Sequence, residues 1–180
     1  MARQASIQPE SPQKQPQPQH DIEALRPAQW SLLRELRLHA LGQDGTVFDA
    51  SPETEAALPA SYWQEVLATS TIWVATAGDA PAGMVRYTPH DGYGHGGSLW
   101  IDPHGRTRGL ARRLMLTAVD HARRRGDSEL RGSVLPDNRP AVRLFRSLGA
   151  VPTGWLKPRN HPPHALRIEM SIPLSQCPRT

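Results

Sequence analysis

The sequence predicts a single α/β domain of the α+β kind, with about seven strands in one central sheet and about four flanking helices. Three observations predict it. The chain has 180 residues, enough for one hydrophobic core and too few for two ordinary domains. Short apolar runs of strand character alternate with segments of helical spacing, in the order βααββ followed by βαβαββ. A buried strand ending at Ile101 leads straight into the longest amphipathic helix, an arrangement typical of layered α/β architecture.

Residues 1–20 carry four prolines and six glutamines with hardly any apolar side chain. Such a segment buries too little surface to offset its ordering entropy, so a disordered tail is expected, with the folded domain over 21–174 and a short C-terminal tail over 175–180. Ile22 and Leu25 suggest an edge strand, and Trp30, Leu33, Leu36 and Leu38 follow at helical spacing until Gly42 and Gly45. A second helix is expected from Ser51, an N-cap with Pro52 at the first helical position, onward to Leu67. Strands at 71–77 and 83–88 form a hairpin about the turn at 78–81.

The Gly-rich stretch 89–97 reads as a loop that ends at a buried strand, 98–101. The long helix then runs from about Arg108 to Gly126, with Leu110, Leu114, Ala118 and Ala122 every four residues and arginines opposite. After a strand at 130–135, Asn138 caps a helix that has Pro140 in its first turn and Gly149 at its end. Strands at 151–156 and 166–172 close the chain, joined by a Pro- and His-rich loop.

Lys plus Arg outnumber Asp plus Glu by 21 to 17, and the pI is near 9.8. That balance suits a polyanionic partner, whether nucleic acid, membrane or a phosphate-rich cofactor. Cys177 is the only cysteine, which excludes an intrachain disulfide and a thiolate metal cage and fits a reducing cytosol. No run of eighteen apolar residues exists, and the N-terminus lacks a secretory pattern, so a cytoplasmic protein with no membrane partner is expected. Gly92 to Gly97 formally satisfies G-x-G-x-x-G, but it precedes a strand instead of joining a strand to a helix, and no Walker loop occurs. His161 and His164 lack a third ligand nearby, so no metal site is expected.

The most informative stretch joins the strand Leu99-Trp100-Ile101 to the helix through Asp102-Pro103-His104-Gly105-Arg106-Thr107-Arg108-Gly109-Leu110-Ala111-Arg112. A helix start leaves about four N–H groups unpartnered and carries partial positive charge, which suits an anion. Gly109 admits a ligand close to the main chain, and Arg106, Arg108 and Arg112 add charge suited to a pyrophosphate.

Residues 106–111, Arg-Thr-Arg-Gly-Leu-Ala, resemble the cofactor loop of the GNAT acyltransferase superfamily, in which Arg or Gln is followed after two residues by Gly, then one residue and Gly or Ala. A second match begins 27 residues beyond Ala111, where Asn138 to Ala150 is similar to the family's Asn-containing helix and its closing Gly. The resemblance implies a GNAT-like mixed sheet with a splay between its two central parallel strands. It also implies acetyl-CoA as acyl donor. Backbone groups at Leu99, Trp100 and Ile101 would meet the pantetheine arm. The backbone from Thr107 to Arg112, Gly109, Leu110 and Ala111 included, would hold the pyrophosphate, with Asn138 near the thioester and Phe145 facing the sulfur. Arg123-Arg124-Arg125 complements the helix C-terminal dipole and is a further candidate for the ribose phosphate.

Many family members have Tyr at the position of Phe145, where its hydroxyl can protonate the departing thiolate. Phe has no proton to give; Ser133, Tyr93 or water are the substitutes considered, and a thiol of pKa ~8.5 leaves tolerably as the anion. An amine acceptor of pKa ~10.4 must lose a proton before attack. His95 is the candidate base, its ordinary pKa of ~6.5 being suited to transfer near neutrality. A strand N–H near Ile101 would meet the developing oxyanion.

The expected function is therefore transfer of an acetyl group from acetyl-CoA to a small-molecule amine by direct attack, with no nucleic-acid partner; homodimers are common for soluble enzymes of this size. Three alternatives stay open: acetylation of a protein lysine or N-terminus, a catalytically silent CoA-binding domain, and a nucleic-acid-binding module built on the Arg-rich helix. The last conflicts with that helix's apolar stripe, which requires one side to pack on a sheet.

Overall fold

Alternation along single strands sets the two layers of the molecule. In β2 (Thr71–Ala77), Ile72 and Val74 point to one side of the sheet and Trp73 and Ala75 to the other, and all four are buried. Helices therefore cover both faces of this strand. The computed structural model describes residues 20–45, 47–48, 50–78, 80–106, 109–158 and 166–174. Most of the Pro/Gln-rich segment, Thr107, Arg108, His161, His164 and the C-terminal tail with Cys177 lie outside the described residues.

Seven strands form one sheet in the order β1-β2-β3-β4-β5-β7-β6. They are β1 (His20–Ala24), β2, β3 (Ala80–Pro89), β4 (Gly94–Ile101), β5 (Glu129–Val134), β6 (Val151–Pro158) and β7 (Leu166–Pro173). Only the central pair β4–β5 is parallel; every other neighbour is antiparallel. One face carries α4 (Leu110–Arg125) and α5 (Arg139–Ser147). The stripe on α4 is buried as its spacing requires, since Leu110, Leu114, Met115, Ala118, Val119 and Ala122 are each at most 2% exposed and pack on Trp73, Val85, Tyr87 and Leu130. Each large aliphatic buried this way contributes about 1.5–3 kcal/mol.

The other face holds α1 (Trp30–Asp44), α2 (Pro52–Ala56) and α3 (Ala60–Thr69) over its N-terminal strands. Leu36, Leu41 and Phe48 cluster there with Val74, Met84 and Trp100, while Leu33 and Trp63 cluster with Ile72.

Sequence and structure differ in three elements. The single helix expected from Ser51 to Leu67 is two, because Pro59 cannot donate to a helical ladder and instead stands as the N-cap of α3. Ser51 does cap α2, accepting from the Thr54 N–H, and the helix count becomes five. Gly42 does not stop α1, which continues to Asp44. The expected loop 89–97 is mostly strand, since β4 begins at Gly94. Its glycines answer a packing need: a Cβ at Gly94 would collide with the Tyr87 ring. That ring is held by its hydroxyl, which donates to the buried Asp127 carboxylate at 2.5 Å, while Arg125 also binds Asp127 at 2.5 Å.

The parallel strands pair only at Gly94 with Leu130 and His95 with Arg131. Beyond His95 they part, and the β5-facing backbone edge of β4 has no strand partner. Opposite that edge, β4 pairs with β3 through a register shift between Met84 and Arg86. Ser98 lies in the bulge with φ of +49°, the only non-glycine residue at positive φ among those described. Such bulges re-aim a strand locally, and left-handed strain in a non-glycine residue concentrates at functional sites.

Candidate active site

Two cavities flank the splay. The first, of about 550 Å³, lies at the C-terminal end of β4 and the start of α4 and is lined by Leu99, Trp100, Ile101, Arg106, Gly109, Leu110, Ala111, Arg112 and Asn138 among others. The second, of about 470 Å³, opens on the face opposite α4 and reaches through the splay to Met115 of α4, and is lined by His95, Ser133, Phe145, Arg86 and Lys157 among others. Val47, Phe48, Leu99, Asn138 and Ala141 are common to both walls.

In the first cavity the turn after β4 is self-supporting. The Asp102 carboxylate accepts from the His104 backbone N–H at 2.9 Å, and Arg106 donates from Nε to the Ile101 carbonyl at 3.1 Å while its Nη2 pairs with Asp44 at the end of α1. Arg106 thus lines the cavity with its guanidinium already engaged. Gly109 is the N-cap of α4 with φ of +76°, and a Cβ added there would meet no atom within 4 Å. Being glycine, it offers no capping oxygen, and the first intrahelical bond is Arg113 N–H to its carbonyl at 3.1 Å. The first turn of α4 thus lines the cavity with no side-chain cap among the described residues.

Trp100 buries its indole under α1, where His39 meets it edge-on at 5.4 Å, and Ile101 joins the α4 core. Leu99 is half-buried between the two cavities. Asn138 caps α5, its Oδ1 accepting from the Ala141 N–H at 3.2 Å. Phe145 is 5% exposed and its ring covers Gly132 on β5. Of the cofactor residues named from sequence, all that are described line these walls, whereas Thr107 and Arg108 lie outside the described residues. Arg123 pairs with Asp120 and Arg125 with Asp127 at the far end of α4, a helix of sixteen residues and roughly 24 Å. They do not reach the first cavity, so the ribose-phosphate expectation for them is set aside.

His95 is a strand residue and not a loop residue, with Thr88 of β3 and Arg131 of β5 as its neighbours in register. Burial, together with the charges of Lys157 and His90, pushes its pKa down to about 4 against the opposing pull of Glu169. It is neutral throughout the physiological range, and as a proton acceptor it is weaker than the ordinary imidazole the sequence suggested. Ser133 lies on the same sheet face, and its Oγ is buried with no hydrogen-bond partner. Tyr93 instead stacks on His90 at 4.7 Å with Arg131 over its ring, outside both linings. Ser133 is therefore the better placed of the two hydroxyls considered.

Sequence reasoning missed the charges of the second cavity. Arg37, Arg86, Lys157 and Arg167 come from α1, β3, β6 and β7 and line it together, with no Asp or Glu among the described lining residues. Arg37 is paired with Glu55 at 2.8 Å and Lys157 with Glu169 at 2.7 Å. Burial opposes the ionised form of Glu169, but the Lys157 ammonium and the Thr153 hydroxyl hold its carboxyl below the usual range. One signal was available for Arg86: it follows Met84 by two residues in an apolar strand, on the inward face.

A family model described as the acetyltransferase (GNAT) family matches residues 30–150. The chain belongs to the GNAT acetyltransferase family. No curated protein matches it by sequence. Solved structures similar in fold to this GNAT domain include a putative acetyltransferase from Salmonella typhimurium with its cofactor acetyl-CoA, at 16% identity and a TM-score of 0.68 over 90% of this chain and 98% of that one. Spermidine N-acetyltransferase from Vibrio cholerae, in complex with CoA and spermine, is 17% identical with a TM-score of 0.68 over 88% and 97%. The ribosomal-protein-S18-alanine N-acetyltransferase from Escherichia coli is 19% identical with a TM-score of 0.67 over 88% and 96%.

The chain is thus an acyltransferase of the GNAT kind, with acetyl-CoA as its donor. Its own residues fit that donor. The left-handed Gly109 leaves an open approach to the α4 amides, and the unpaired edge of β4 can bond an extended chain as a further strand would. Among the described residues no group of three or more His, Cys, Asp or Glu could hold a metal ion, and no helix is long and apolar enough to cross a membrane.

Proposed function

We propose that this GNAT domain acetylates a primary amine on a small molecule by direct attack of the amine on the donor. The observation that carries this reading is the pair of cavities sharing the wall Leu99, Asn138 and Phe48, one against an uncapped helix start and the other against His95. A cavity of about 470 Å³ is of the size that encloses a small ligand, which favours that acceptor over a protein lysine or N-terminus. Acetyl-CoA supplies the activated acetyl group.

Leu99, Trp100 and Ile101 hold the pantetheine arm through their backbone, and the turn and helix start from Arg106 to Arg112 hold the pyrophosphate. Asn138 and Phe145 bound the reacting end. His95, neutral and half-buried, accepts the proton that the attacking amine gives up, directly or through water. Ser133 Oγ, with no other partner, hydrogen-bonds the departing thiolate in place of the hydroxyl that Phe145 lacks. No acyl-enzyme is formed on cysteine, because the single thiol, Cys177, lies near the C-terminus beyond β7. That lone cysteine also accords with a cytosolic setting.

The test is Gly109→Glu, which places bulk and negative charge where the pyrophosphate would sit. Acetyl transfer to a broad amine panel, followed by mass spectrometry, should be abolished together with the thermal shift caused by CoA. Undiminished transfer by the variant would remove the donor-site assignment.

A further inference from the structure

The second cavity contains a guanidinium that no hydrogen bond or ion pair holds among the described residues. Among the described residues the Arg86 guanidinium makes no hydrogen bond or ion pair, and its Nε is sealed from solvent without a partner; Arg37 Nη1, beside it, is in the same condition although the rest of that group binds Glu55. Withdrawing a guanidinium from water without a counterion is costly. The cost registers as a lowered Arg86 pKa, owed first to burial, with the positive charge of Arg37 adding to it against the opposing pull of Tyr62 and Glu55. Neither arginine lines the donor cavity, so the phosphates of the donor are not the missing anion.

Geometry relates this pair to the reacting centre. Arg86 is opposite Gly97 in the β3–β4 register, and Thr88, two residues further along, is opposite His95. Two residues along a strand are roughly 7 Å, so the unanswered charge and the proton acceptor share one sheet face at the span of a small molecule.

We propose that the acceptor carries, besides its amine, an oxyanionic group, a carboxylate or a phosphate-type group, and that the Arg86 guanidinium receives it. The acceptor class is then an amino acid or an aminoalkyl phosphonate, and not a polyamine. This rests on the acetyl-transfer reading and narrows it. A planar guanidinium binds such groups through paired, charge-assisted hydrogen bonds. A polycation would meet Arg37, Arg86, Lys157 and Arg167 with no carboxylate among the described lining residues to receive it.

The experiment compares amino acids, their uncharged amides, aminoalkyl phosphonates and spermidine, with wild type and Arg86→Gln. Transfer from acetyl-CoA is measured alongside calorimetric binding of each amine to the CoA-loaded protein. In wild type the anionic amines should exceed the matched amides in kcat/KM on the order of 10²-fold, and the ranking of carboxylate against phosphonate tells which oxyanion the site takes. Arg86→Gln should collapse that ratio through KM, while the CoA thermal shift, retained, shows the fold intact. A wild-type preference for spermidine or for the amides, or an unchanged ratio in Arg86→Gln, overturns the proposal. If no amine is acetylated, the acetyl-transfer reading fails, and calorimetry still decides this one by whether the carboxylate is needed for binding and Arg86 for that need.

Discussion

Phe145 rests on Gly132: a Cβ at position 132 would lie 2.7 Å from Phe145 Cε1 and closer still to Cζ, and 3.1 Å from the Gly96 carbonyl oxygen. The absence of a side chain on β5 thus seats the aromatic ring at the point where the parallel strands separate. Gly132→Ala should force the ring outward into the splay. Overpacking of this kind costs about 1–3 kcal/mol. Thermal denaturation should show that loss, and titration with CoA should show weaker binding; a variant with unaltered CoA affinity would mean that the ring does not bound the donor site.

His95 gives a pH prediction with a definite sign. Its pKa in the folded protein, about 4, is below the ordinary value of 6.5. The unfolded chain therefore takes up a proton between those values that the folded chain refuses, so stability is lost as pH falls from about 6.5 through about 4. The loss should amount to a few kcal/mol, and His95→Gln should flatten it in denaturant titrations across that range. In the same window kcat/KM should show no histidine limb near 6.5. It should rise with pH as the acceptor amine deprotonates, and His95→Gln should lower kcat by about 10²–10⁴.

Ser133 separates stability from rate. Since its Oγ has no partner, Ser133→Ala deletes no hydrogen bond and should leave the melting temperature within the equivalent of about 0.5 kcal/mol. If the hydroxyl serves the leaving thiolate, kcat should fall about 10²-fold with KM for acetyl-CoA little changed. An unchanged kcat would leave water as the proton source.

Asn138 caps α5, and substitution can divide that role from the donor contact proposed for it. Asn138→Ala removes the cap of α5 and should cost about 1 kcal/mol. Asn138→Ser keeps a capping oxygen on a shorter side chain, so it should restore the melting temperature while CoA binding stays weak. Recovery of both by serine would reduce Asn138 to a cap.

The layers were legible because periodicity reports burial: Leu110, Leu114, Ala118 and Ala122 stand at a spacing that only a helix on a sheet explains, and all four are essentially inaccessible. The helix start was legible because Gly109 and the flanking arginines are local in sequence. The acceptor side was not, since Arg37, Arg86, Lys157 and Arg167 reach one cavity from four elements far apart in the chain. Gly94 and Gly96 misled in another way. Glycine marks turns in most sequences, but here it marks a strand over which Tyr87, Met115 and Leu130 are packed closely.

The wall shared by Leu99, Phe48 and Asn138 also bears on which thioesters can be used. With donor and amine in the two cavities as proposed, every methylene added beyond acetyl takes volume from the incoming amine at that shared wall. Chain-length selectivity would then be a competition for common space: bulky acceptors should demand the shortest donor, and tolerance of propionyl or longer groups should appear only with the smallest amines.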